Sequence, residues 1–318
     1  TLANTAALTG TDAAVVTGSV SAGDNSQIGT TSAASTLTIN GVLTSAANNT
    51  LEIIGAGSVV AANTANNMDI VKITNAKNVS LRDVDSVRFS NTASNLTGTL
   101  IVNAADNITL QAGGTVTSSV GDILLTSNAF INNAGANALT TTAGRWGVHS
   151  AALAGNAYGG LNSGNQAIYG RALGMATAES GNRYVFAQSP TLNITSIDQT
   201  KTYGQNATAL VANAYTATPF INAATYGNVF TQDTIANSLT GSATSTGSTV
   251  AANAGVYTID VASIAATTGY TLNKSNAGNL TVTAALLPVG PGSTSNNISV
   301  FNNAVTRLDQ ELTCAQFS

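Results

Sequence analysis

The stretch Arg82-Asp83-Val84-Asp85-Ser86-Val87-Arg88 holds two acids two residues apart. At strand spacing Asp83 and Asp85 share a face, opposite Val84. Paired carboxylates can cleave glycosidic bonds, one protonating the leaving oxygen and the other serving as base or nucleophile. Arg82 and Arg88 flank the pair, so the stretch reads more simply as a solvated charge ladder. A calcium site needs more oxygen ligands than two neighbours supply. His149 is the only histidine, and nothing in the sequence sets a Ser-His-Asp arrangement around it, so a structural or solvated imidazole is expected. Cys314 has no second cysteine to pair with, for metal or for nucleophilic chemistry. A buried or incidental thiol is expected there, with an intermolecular disulfide as the alternative. No glycine-rich loop follows a strand and opens a helix, so nucleotide binding has no support. No residue is assigned to catalysis, a cofactor or a metal.

Composition narrows what can carry these groups. Charged residues make up 8% of the 318 positions and aromatics 5%, while Ala, Thr, Asn, Ser and Gly dominate. That is too few large apolar groups for an ordinary globular core, and short strands with thin cores and polar turns fit better, with disorder as the rival reading. The net charge is −4, and the 10 basic residues are scattered singly, so nucleic acid is not an expected partner. No stretch approaches ~18 consecutive apolar residues, so no helical transmembrane segment is expected. The chain opens on Thr1 rather than Met, which reads as processing or excision. A long Asn/Thr-rich chain poor in Cys and Lys suggests an extracellular protein at a bacterial cell surface.

Five regions follow. Residues 1–35 read as an N-terminal arm with room for a strand. Residues 36–143 carry recurring apolar pairs, among them Leu37/Ile39, Leu51/Ile53, Val79/Leu81, Leu100/Val102 and Ile123/Leu125. Each pair is a brief strand with both side chains on one face. Laying residues 71–81 over 100–110 places Val71 on Leu100, Val79 on Ile108 and Leu81 on Leu110, and Val87 then falls on Val116. A weaker third copy starts at Asp122. The region is expected to be a right-handed parallel β-helix of four or five turns of roughly 20–30 residues, with an antiparallel sandwich as the rival. Asn78 over Asn107 is the expected corner ladder, because asparagine tolerates the left-handed conformation and can stack on itself.

Residues 144–190 hold the only tryptophan and much of the tyrosine, and read as a capping and connecting segment. Trp146, Tyr158, Tyr169 and Tyr184 are its candidate contact residues, joined by Tyr203 further on. Residues 191–285 alternate at Leu192/Ile194, at Tyr257/Ile259/Val261 and at Leu280/Val282, as a small β-sandwich-like module would. Residues 286–318 read as a Pro/Gly/Ser linker and a tail that is either a short amphipathic helix or a strand.

Within the module, Lys201-Thr202-Tyr203-Gly204 is followed by Gly255/Tyr257/Ile259, Gly269/Tyr270/Leu272 and Ala277/Gly278/Leu280/Val282. This order resembles the MBG or YDG-type β module of large bacterial surface adhesins. Residues 144–161 and 181–196 resemble the stretch that precedes such modules in filamentous-haemagglutinin-like exoproteins. That resemblance implies a β-helical body, export by two-partner secretion through an outer-membrane partner, and a Gram-negative source. The family carries several modules in tandem where this chain has one, and its secretion domain is not recognisable in residues 1–35, so the chain resembles a C-terminal portion or a shortened relative. Tyr203 is expected to pack along the module edge, with Gly204 supplying a special backbone angle.

The reading that follows is a non-enzymatic structural and adhesive protein meeting a cell-surface glycan or protein. The alternative is a self-assembling fibre subunit, joined head-to-tail by strand addition from a terminal arm. A polysaccharide-active enzyme centred on Asp83 and Asp85 ranks third, because acids, bases and aromatics are all sparse in residues 36–143.

Overall fold

The computed structural model describes residues 13–285. The linker, the tail with Cys314, and the first part of the expected arm lie outside the described residues. The chain divides into two compact units: residues up to Pro190 together with Ile221–Asp233, and the remainder from Thr191.

The first unit is a parallel β-solenoid of about six turns. The first turn holds β1 (Ala14–Val16), β2 (Val20–Ala22) and β3 (Ser26–Gly29), and the second β4 (Thr36–Ile39), β5 (Leu43–Ser45) and β6 (Thr50–Ile54). The third has β7 (Ser58–Ala61) and the long β8 (Ile70–Ala76). From the fourth on there are again three strands per turn: β9 (Val79–Asp83), β10 (Val87–Phe89), β11 (Ser94–Leu96); β12 (Leu100–Ala104), β13 (Asn107–Leu110), β14 (Val116–Ser118); β15 (Ile123–Thr126), β16 (Ala129–Asn132), β17 (Leu139–Thr141). Two further strands, β18 (Trp146–Ser150) and β19 (Arg183–Phe186), complete an eight-stranded first side, β1-β4-β7-β9-β12-β15-β18-β19.

Alternation builds this core. In β4, β6, β7 and β12 every second residue is buried. Parallel pairing in register then stacks like on like. Ala14, Leu37, Val59, Val79, Leu100, Ile123 and Trp146 form one inward column on the first side, at steps of 20–23 residues. Leu51, Val71, Phe89 and Leu110 form another column on a different side.

These registers correct the 29-residue overlay. Val71 belongs to the β6-β8-β10 stack, whereas Leu100 stacks on Val79. The overlay matched apolar pairs on different sides of one coil, since short Val/Ile/Leu pairs look alike whichever side they line. The asparagine ladder falls with it. Asn78 stands between Ser58 and Thr99, donating to Ser58 Oγ at 3.3 Å and accepting from Thr99 N–H at 2.8 Å. Asn107 pairs with Ala129, and its N–H donates to Ser86 Oγ at 3.2 Å, at another corner. The solenoid also extends past both expected limits, since β1–β3 fall inside the expected arm and β18–β19 inside the expected connecting segment.

Glycine sets the repeat at one corner. Gly98, Gly121 and Gly144 recur every 23 residues. A Cβ added at Gly121 would lie 2.4 Å from Gly98 C and Thr99 N, and one at Gly144 would lie 2.3 Å from Gly121 O. Successive turns therefore touch backbone to backbone there. Gly18 and Gly41 make the same kind of contact, with a Cβ on Gly41 at 2.0 Å from Gly18 O.

The second unit takes strands β20 (Thr191–Ser196), β21 (Gln199–Thr202), β22 (Tyr215–Thr218), β23 (Leu239–Thr240), β24 (Gly255–Thr258), β25 (Ala265–Ala266), β26 (Thr271–Ser275) and β27 (Asn279–Thr283). They form two three-stranded sheets, β22-β20-β26 and β21-β27-β24, and the pair β23-β25. Leu192, Ile194, Ile259, Val261, Leu280 and Val282 are buried, while Val256 stays 68% exposed.

Gly121→Ala drives a methyl into the backbone of the turn before it and should cost about 1–3 kcal/mol. Gly18→Ala meets no described atom within 4 Å and should leave stability nearly unchanged. Urea unfolding of the two variants checks this pair of outcomes, and equal effects would contradict the contact.

Candidate functional site

The paired acids do not share a face. The strand β9 ends at Asp83, and the chain turns through Val84 and Asp85. Asp83 points inward and is 2% exposed, Val84 is exposed, and Asp85 is half-buried. Asp83 Oδ2 accepts from Met68 N–H at 2.7 Å and Oδ1 from Asp85 N–H at 3.0 Å. Its place explains the role. The side formed by β2 and β5 continues only as a single bridge at Asn67 in the third turn, and Asp83 supplies an acceptor where that side ends. Burial pushes the carboxyl up to about 7, against the pull of the two amide donors.

Asp85 accepts from Asn67 Nδ2 and from Ser86 N–H, and opens on a groove that Asp69 and Asp106 also line. Arg88 serves Asp69 instead of the expected pair, its Nε donating to Asp69 Oδ1 at 2.8 Å. That hydrogen bond is the largest influence holding the Asp69 carboxyl below its usual range. Arg82 is exposed. Among the described residues no cluster of His, Cys, Asp and Glu is arranged to hold a metal ion.

The aromatic candidates are interior. Trp146, Tyr158, Tyr169 and Tyr184 are all buried. Tyr184 packs edge-on against Trp146 at 5.2 Å and Tyr158 at 5.0 Å between centroids, and Tyr169 stacks on Phe186 at 6.0 Å. The hydroxyls are engaged as well: Tyr184 donates to Leu161 O at 2.7 Å, Tyr158 to Leu153 O at 3.0 Å, and Tyr169 to Asp233 Oδ2 at 2.9 Å. Burial raises the phenols of Tyr158 and Tyr184. None of the four offers a ring to a partner, which corrects their assignment as a contact surface. A run so poor in large apolar groups spends its few rings on core.

Tyr203 is half-buried and follows β21, its N–H donating to Thr283 O at 2.7 Å. Gly204 adopts φ +87° with no atom near its missing Cβ, so the turn requires backbone freedom rather than space. Lys201 is 4% exposed, and its ammonium donates to Gln205 O at 3.0 Å and to Thr249 O. Desolvation lowers its pKa.

A partly open recess in the first unit surrounds His149, where the sequence led to the expectation of a structural or solvated imidazole. It holds about 200 Å³ and lies on the outer surface of β12, β15 and β18. From β4 to β15 the outward residues of this side reach solvent, but all five residues of β18 are buried. Residues 174, 176, 177 and 181 line the recess from the chain between β18 and β19. Arg145 ties this segment down by donating to Thr177 O at 3.1 Å and to Glu179 O. Imidazole Nδ1 of His149 is buried without a partner. Burial, and secondarily the charge of Arg145, pulls this imidazole down to about 4. The sequence signal that marks the place is Gly147 two residues before the only histidine, a glycine inside a strand.

No protein family matches this chain, and neither does any curated protein or solved structure.

The two perturbed groups give opposite pH dependences. His149, with its folded value lowered to about 4 from 6.5, stabilises the fold above pH ~6.5 and loses that contribution as pH falls to about 4. Asp83, raised from 3.8 to about 7, contributes stability below pH ~4 and loses it as pH rises through about 7. His149→Gln should therefore shift the stability balance toward pH 5 over pH 8, and Asp83→Asn toward pH 8. Asp83→Asn also turns an amide N–H₂ toward a backbone donor, at a cost of about 1–3 kcal/mol. Urea midpoints at the two pH values check this, and shifts of the same sign in both variants would contradict it.

Proposed function

We propose that the chain is a non-enzymatic structural and adhesive protein of a bacterial cell surface, with the solenoid as a stalk and the β module as a second presented unit. The observation that carries the reading is the unbroken eight-stranded parallel side from β1 to β19, a shape-giving stack built from small side chains. The sequence resemblance around Tyr203-Gly204 and Gly269-Tyr270 supports export by two-partner secretion through an outer-membrane partner. The acid pair contributes nothing to a glycosidase reading, since Asp83 is held by backbone amides inside a corner.

The fibre alternative weakens at one end of the stack. Strand β19 would be the edge that accepts a neighbour, yet residues 168–171 run along it. Phe186 N–H donates to Ile168 O at 2.8 Å, Ile168 N–H to Tyr184 O at 3.0 Å, and Arg171 N–H to Phe186 O at 3.1 Å. Strand addition there would have to displace the chain's own segment.

Negative-stain electron microscopy of the full chain should show discrete particles at all concentrations, and beads coated with it should adhere to host or bacterial cells. Long regular filaments would favour the fibre subunit. Depolymerisation of a polysaccharide that Asp83→Asn and Asp85→Asn abolish would overturn the reading in favour of an enzyme.

A further inference from the structure

Outward positions on the first side of the solenoid stack as strictly as inward ones. Ile101, Leu124 and Gly147 form one outward column, and Asn103, Thr126 and His149 the next. Gly147, where the first column loses its side chain, lines the recess, and Leu124 and His149 close in on that position. A Cβ there would lie 3.2 Å from Leu124 Cδ2 and 3.6 Å from His149 Nε2. One wall is thus aliphatic and the other a ladder of neutral hydrogen-bonding groups. No side-chain hydrogen bond engages Asn103, Thr126 or His149 among the described residues, and His149 is only 6% exposed. Of its two ring nitrogens, Nε2 lies beside the Gly147 position and is the one a ligand in the recess would meet, whereas the unpartnered Nδ1 is buried.

Charge decides the kind of ligand. Arg145 Nε lies 3.7 Å from Asp122, and Arg171 lies 3.6 Å from Glu179. Arg183, which lines the recess, donates to Ser180 O and Gln166 O but has no carboxylate at ion-pair distance among the described residues. One positive charge is left over, enough for a carboxylate and too little for a phosphate dianion. The volume of about 200 Å³ exceeds the roughly 150 Å³ engineered cavity that takes a benzene ring, so one six-membered ring with substituents fits.

The geometry points to this recess as a binding site for a uronic acid, a single sugar ring carrying one carboxylate, either free or at the end of a glycan. The ring's apolar face lies on Ile101 and Leu124, its hydroxyls meet Asn103, Thr126 and His149, and its carboxylate pairs with Arg183. The inference is independent of the adhesive reading, since a stalk, a fibre or an enzyme could each carry such a site.

Calorimetric titration of the full chain with glucuronate, a glucuronate-terminated disaccharide, glucose and acetate tests it. Saturable glucuronate binding at least ~10-fold tighter than glucose or acetate is expected, with a ~10-fold loss in Arg183→Gln. Gly147→Val, which fills the recess, should abolish binding while the circular dichroism spectrum is unchanged. Disaccharide binding as tight as the free acid assigns the site to a glycan end, and binding of the free acid alone assigns it to the monosaccharide. Absence of saturable glucuronate binding, or equal affinity for glucose, would overturn the proposal with no variant needed. None of these outcomes bears on whether the chain forms particles or filaments.

Discussion

Everything in the solenoid depends on the backbone hydrogen bonds between parallel strands of successive turns. They leave each residue a single partner in the turn before and another in the turn after. A buried side chain must therefore suit two neighbours of its own kind, which is why Leu37, Val59, Val79, Leu100 and Ile123 make one column. A small-residue chain can build a core this way, because the thin space between the sides needs only one layer of Val, Ile and Leu. The same constraint orders the outer surface, so polar groups scattered through the sequence arrive as ladders.

The strain of keeping that ladder complete appears where the cross-section changes. The strand β8 faces β10 with its first half and β11 with its second, and the chain between those two strands bends away. Ile73 N–H is left without a carbonyl there, and Ser94 Oγ accepts it at 3.1 Å. One turn corner away Asp83 does the same for Met68 and Asp85. Both side chains are almost wholly buried. The chemistry that Asp83 and Asp85 suggest in the sequence is thus absorbed by backbone accounting, a use that residue type and spacing alone do not distinguish from catalysis.

The all-β class and the parallel solenoid were legible in the sequence, because period-two alternation registers directly in which residues are apolar, whereas the grouping of Ile221–Asp233 with the first unit was not. The step between turns was not read correctly. Pairs such as Val71/Ile73 and Leu100/Val102 are interchangeable as apolar signals, whereas Gly98, Gly121 and Gly144 are not, and their 23-residue spacing carried the register. The aromatics misled for a related reason. They stood as contact residues of a capping segment, but large rings are what a thin core lacks, and Trp146 continues the very column that begins at Ala14. The recess at His149 was out of reach, since it depends on residues 174–181 folding back over a strand that the sequence placed in a connecting segment.

Register between turns is the central claim, and thiol cross-linking reads it most directly. In a Cys314→Ser background, Thr38→Cys with Val60→Cys places two thiols on partner residues of adjacent turns. Lys72→Cys with Ile101→Cys places two thiols 29 residues apart on different sides. A short bifunctional thiol reagent, followed by mass spectrometry, should link the first pair within the native chain and leave the second unlinked. Linkage of the second pair and not the first would contradict the stacking described here.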